Sequence, residues 1–178
     1  MHMLFENVGR KTRTAGRTTM LLALGGALFG GCGGVSADVT GSAGGVDFDK
    51  TTQVYFGGPF IVVSMTDVSC EQLDFVRRNY EVGSAPTEAE TALLQFSYDA
   101  DVMAEGPAPV DITASVSASV LKISGGAFFE TIAEGGLLTL DTYEDEQTAA
   151  GSFEGLLFED GTLDGTFDAE WCRNLKAR

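Results

Sequence analysis

GSFEGLLFEDGTLDGTFDAEWC, residues Gly151 to Cys172, holds two runs in which apolar residues alternate with small or polar ones, on either side of Glu159-Asp160-Gly161-Thr162. A period of two sends successive side chains to opposite faces, so each run reads as a strand with one face buried and one in water. Asp160-Gly161 between such runs favours a type I′ hairpin turn. The pieces Gly151-Ser152-Phe153-Glu154 and Gly165-Thr166-Phe167-Asp168 are similar. Adjacent strands would therefore bring Phe153 and Phe167 into one core.

The preceding sequence repeats this style. Gln53 to Phe56 and Phe60 to Met65 are β-branched and aromatic runs parted by Gly57-Gly58-Pro59, a turn signal. Ala92 to Tyr98 is another strand candidate. After the break at Gly106-Pro107-Ala108-Pro109, Val110, Ile112, Ala114, Val116 and Ala118 alternate strictly with polar residues, which predicts a single half-buried strand. Val120 to Ile123, Ala127 to Ile132 and Leu137 to Tyr143 follow. Gly125-Gly126 and Gly135-Gly136 divide them, and glycine pairs suit tight hairpin turns.

One helix is expected, over about residues 69–80. Ser69 and Gln72 have the spacing of a capping box, and Leu73, Val76 and Tyr80 share a face. Asp74 and Arg78 form an i,i+4 ion pair, and Gly83 and Pro86 end the helix. Many short strands with a single helix cannot build βαβ units. The fold class is therefore mainly β: an antiparallel β-sandwich or a partly closed β-barrel with one α-helix.

The N-terminus has a different character. Arg10, Lys11, Arg13 and Arg17 precede the apolar run Met20 to Phe29, and Gly30-Gly31-Cys32 follows. A basic segment, a short apolar segment and small residues are the parts of a secretory signal peptide. Ten apolar residues of helix rise only about 15 Å, too short for a permanent span. Phe29-Gly30-Gly31-Cys32 resembles the lipobox of bacterial lipoproteins, with Phe29 where Leu is usual. The resemblance implies that Cys32 receives a diacylglycerol, becomes the new N-terminus and is acylated again. It implies a lipid-anchored chain in the cell envelope, with membrane contact through the anchor. Gly33, in place of the Asp that retains many such proteins at the inner membrane, directs the expectation to the outer membrane. The expected organisation is a signal peptide over 1–31, a Gly/Ser-rich tether over 32–45 and a single β domain over 46–178. That domain is similar in its general features to small Gly-rich β lipoproteins of Gram-negative bacteria, a likeness that carries no catalytic residues across.

Composition narrows the chemistry. Residues 1–31 take four of the eleven basic residues and one of the twenty-six acidic ones, leaving seven against twenty-five and a net charge of −18. A field of that sign repels nucleic acid, which is excluded as a partner. His2 is the only histidine, so the remainder has no imidazole for a triad, a general base or a His-ligated zinc. No cofactor or metal is expected, and no catalytic residue is assigned. With Cys32 lipidated, Cys70 and Cys172 remain as a pair for a disulfide in an oxidising compartment.

Three acidic groups lie at predicted turns: Asp99 with Asp101, Asp141 with Glu144-Asp145-Glu146, and Glu159-Asp160 with Asp164. None has EF-hand spacing, and solvated turns account for them. The expected role is structural or interaction-based, with an unidentified envelope protein as partner. The rival is a module for a small apolar molecule or a glycan, held at a barrel mouth or on an aromatic surface of Tyr55, Phe56 and Phe60, with Tyr98 and Phe128-Phe129 as further candidates. A carboxylate-based hydrolase is the remaining alternative.

Overall fold

A computed structural model describes residues 36–51, 53–83, 85, 90–98, 109–112 and 116–175. The strands are β1 (Ser36–Ala43), β2 (Val46–Asp47), β3 (Gln53–Gly57), β4 (Phe60–Ser64), β5 (Thr91–Tyr98), β6 (Pro109–Asp111), β7 (Val116–Ser124), β8 (Ala127–Ile132), β9 (Gly135–Glu144), β10 (Thr148–Phe158) and β11 (Gly161–Trp171). Helix α1 (Cys70–Glu81) lies between β4 and β5, and a short 3-10 turn, Arg173–Leu175, follows β11. Nine strands run in the order β6-β9-β10-β11-β3-β4-β5-β7-β8, while β1 pairs with β11 and with β2. The result is a curled, open half-barrel, the partly closed alternative of the two expected.

The curl comes from short connections. Strands β8 and β9 belong to opposite ends of the path, yet only Ala133 and Glu134 join them. Ala133 N donates to Ala118 O of β7 at 2.8 Å, and Glu134 N donates to Leu157 O of β10 at 2.7 Å. Two residues reach less than about 11 Å from strand to strand, so the ends of the sheet must bend toward each other. An isolated bridge between Ile112 and Val116 draws β6 toward β7 in the same way. All ladders are antiparallel except a short parallel one between β11 and β3, Glu170 with Tyr55 and Trp171 with Phe56.

Two apolar clusters occupy the two faces. The larger fills the concave interior with Val54, Phe56, Ile61, Val63, Leu94, Phe96, Val120, Phe153 and Phe167, among others. The smaller sits on the outer face of β3, β4, β5 and β7, where Tyr55, Val62, Leu93, Leu121 and Ile123 meet Leu73 and Val76 of α1. Central strands buried on both faces explain why the run from Phe60 to Val63 is apolar throughout.

Helix α1 begins as its sequence predicts. Ser69 N donates to Gln72 Oε1 at 2.8 Å and Gln72 N donates to Ser69 Oγ at 3.3 Å, the reciprocal pair of a capping box. Asp74 is bridged by both Arg78 and Arg77. Their hydrogen bonds, Arg78's first, hold its carboxyl below the usual carboxylate range. Tyr80 stays partly exposed; its Oη donates to Glu130 Oε2 at 2.5 Å and its ring meets the Phe128 edge.

The C-terminal hairpin explains the repeated Gly-x-Phe pieces. Phe153 stands opposite Gly165, and Gly151 opposite Phe167. Each phenylalanine thus packs over the other strand's glycine, and both rings meet Phe96, at 5.3 and 6.4 Å. A Cβ on Gly165 would lie 2.7 Å from Phe153 Cζ, so a side chain and the ring cannot share that space.

Four expectations are corrected. The stretch 32–45 is not a tether throughout, because Ser36–Ala43 is a strand paired with β11 from Asp168 to Leu163. The alternation from Val110 to Ala118 is not one strand: β6 pairs with β9, whereas β7 pairs with β5 and β8, and Ala114 lies outside the described residues. Gly125-Gly126 does form a turn, with φ of 58° and 77°, but Gly135-Gly136 opens β9. The last hairpin turns at Glu159-Asp160, neither of which has positive φ, so it is not type I′. Gly161 serves a different need there: a Cβ on it would lie 2.1 Å from Ser42 O.

Candidate functional site: a cleft at the barrel mouth

The sequence-predicted aromatic surface does not exist as a surface. Tyr55 and Phe56 are consecutive in β3 and point to opposite faces, Tyr55 toward α1 and Phe56 into the barrel interior. Phe56 is fully buried, with Trp171 at 5.1 Å and Tyr143 at 6.0 Å from its ring. Phe60 is half-buried against the α1 cluster. Tyr98 is buried too, and its Oη donates to Gly58 O at 2.9 Å. Burial, helped by Tyr143 and Asp145, pushes its phenol far above the usual range, so it remains a donor at any ordinary pH.

The other predicted residues divide cleanly. Cys70 and Cys172 are bonded, with Cα atoms 5.6 Å apart, tying the first residue of α1 to the end of β11. Cys32, Asp99 and Asp101 lie outside the described residues. Among the described residues no group of three or more His, Cys, Asp or Glu is placed to hold a metal ion. Two of the acidic turn residues have structural tasks. Asp164 Oδ1 accepts from Gly155 N at 2.7 Å, at the bulge where β10 and β11 change register.

Asp160 does more. Its Oδ1 accepts from Gly44 N at 2.9 Å and its Oδ2 from Gly45 N at 2.8 Å. Gly44 and Gly45 have φ of 62° and 66°, a conformation that glycine adopts without strain, and they link β1 to β2. One carboxylate therefore latches the β1–β2 hairpin to the β10–β11 hairpin.

This latch forms one wall of a cleft of about 610 Å³. Strands β7 and β8 form the opposite wall. Lys122 and Phe129 face each other in register, as do Val120 and Thr131 one step along the same face. Ser124 and Glu159 complete the rim, while Glu130, between Phe129 and Thr131, turns its carboxylate to Tyr80 on the other face. Phe129 is 57% exposed. Lys122 makes no ion pair among the described residues. The cleft thus combines one solvent-open aromatic ring with an ammonium, hydroxyls and carboxylates. Sequence reasoning named Phe128-Phe129 and Asp160 separately; the β7–β8 ladder sets Lys122 beside Phe129, and the pairing of β1 with β11 brings Gly44 and Asp160 to them.

The Asp160 latch is testable. The two glycine amides hold its carboxyl below the ordinary value of 3.8. A depressed folded-state pKa contributes stability that is complete above the unfolded value and is lost as pH falls through the folded one. Asp160→Asn, with one acceptor for two amides, is expected to melt lower than the parent at neutral pH. The difference should close as the pH of the melt falls below the ordinary carboxylate value and through the depressed folded-state one. A gap that persists unchanged into acid would show that the carboxylate charge is not what holds the hairpin.

Neither protein-family models, nor curated proteins, nor solved structures yield a match to the chain.

Proposed function

We propose that this chain is a lipid-anchored protein of the bacterial cell envelope, with a non-catalytic structural or interaction role. The observation that carries this reading is the Cys70–Cys172 bond. Disulfides persist in oxidising compartments, which agrees with export. The sequence has three cysteines, so the bond leaves Cys32 alone, directly after a basic and apolar leader. An unpaired cysteine in an exported chain calls for a use, and acylation supplies one. Anchoring by more than one acyl chain is stable because each buried CH₂ contributes about 0.8 kcal/mol.

The absence of histidine after residue 2 and the commitment of Asp160 and Asp164 to backbone amides favour a non-catalytic role. The test is mass spectrometry of the full chain expressed in a Gram-negative host fed an alkynyl fatty acid. The mature product should begin at Cys32, carry acyl mass and fractionate with the outer membrane. Cys32→Ser should lose the label and leave the leader uncut. An unlabelled native product, or one starting elsewhere, overturns the reading.

A further inference from the structure

We infer that the cleft between the Lys122–Phe129 pair and the Asp160 latch binds a neutral saccharide. Its volume of about 610 Å³ falls within the range of about 300–1,000 Å³ typical of small-molecule sites. Its chemistry selects among ligand classes. An apolar ligand would cover the Lys122 ammonium and the rim carboxylates without satisfying them, which costs more than the burial of Phe129 returns. An anion meets one lysine against Glu159 and Asp160, a local balance of −1, within a chain of net charge −15. A metal ion finds no set of three ligands among the described residues.

A sugar ring satisfies every part of the lining. Its C–H face can lie on the Phe129 ring while its hydroxyls reach Lys122 as donor, Glu159 as acceptor, Thr131 as either, and Ser124 as acceptor, the Ser124 proton going to Glu90 Oε1 at 3.3 Å. Asp160 is held rigid by Gly44 and Gly45, so this side of the cleft is preorganised. The cleft also lies at the Ala43 end of β1, about 24 Å from Ser36 at strand rise. Binding at the cleft does not itself depend on acylation.

The experiment uses the full chain and ligand-observed saturation-transfer NMR. The probes are α-1,4- and β-1,4-linked glucose oligomers and an N-acetylglucosamine oligomer, with a galacturonic acid oligomer as the charged counterpart. At least one neutral probe should bind, with the galacturonic acid oligomer bound weakly or not at all. Phe129→Ala should weaken binding about tenfold or more while leaving the melting temperature unchanged, because the ring is mostly exposed. Lys122→Gln should weaken it less. Binding by none of these probes, preference for the charged oligomer, or affinity indifferent to both substitutions overturns the inference. Cleavage of a bound probe would keep the site and overturn only the non-catalytic reading. Absence of acyl mass on Cys32 would overturn only the anchor.

Discussion

Phe153→Ala is expected to destabilise the domain by about 3–5 kcal/mol, the range for deleting a fully buried phenylalanine. Phe153 is 1% exposed and packs across the barrel interior from β10 onto Phe96 of β5. Two features push the cost toward the upper end. The residue opposite is Gly165, which has no side chain to move into the space. Its backbone is also pinned, with Asp38 O only 2.6 Å from where its Cβ would lie. A cavity that cannot collapse keeps its full penalty. Against a total stability of about 5–15 kcal/mol, such a loss leaves the domain marginal. Urea unfolding should show a lower midpoint at an unchanged slope. Phe75→Ala is the control: that ring is 56% exposed on α1 and its removal should change stability by less than about 0.5 kcal/mol. Equal effects at the two positions would mean that Phe153 does not fill the interior.

Removing the disulfide is expected to cost about as much by another route. Cys70 and Cys172 are separated by 102 residues. Closing so long a loop lowers the entropy of the unfolded chain and stabilises by roughly 4–5 kcal/mol. The Cys70→Ala/Cys172→Ala double variant should melt about 10–15 °C lower than the parent. The damage should begin where the bond acts. Cys172 is fully buried beside Leu73, Val76 and Leu175, and its N donates to Phe56 O at 2.8 Å. Amides of α1 should therefore lose protection from hydrogen exchange before those of β10 and β11. The parent in reductant should behave like the double variant. Coincident melting curves for reduced and oxidised protein would remove the bond from any role in stability.

The features readable in the chain are those decided by near neighbours. Ser69 and Gln72 cap a helix through bonds spanning three residues, and Asp74 meets Arg78 one turn later. Alternation marks β10 and β11 because a strand's two faces differ in burial whatever its partner. The same period already spoke against an aromatic surface of Tyr55 and Phe56, since consecutive strand residues cannot share a face. Glycine was the weakest guide. Gly41 lies within a stretch that reads as a tether, yet a Cβ there would strike Thr162 O at 2.0 Å, so its lack of a side chain permits β1 to press against β11. Gly136 reads as a turn residue, but it belongs to β9, where a Cβ would meet Leu156.

By itself the amino-acid order determined a mainly β domain with one capped helix, because periodicity and capping are local. Which strands became neighbours, beyond those joined by a tight hairpin, was decided only by tertiary structure. Glycine-rich segments have the same appearance as turns, tethers or closely packed strands until long-range pairing shows what stands beside them. Long-range pairing of β1 against β11, together with the local β7–β8 hairpin, sets Asp160, Lys122 and Phe129 around one cleft.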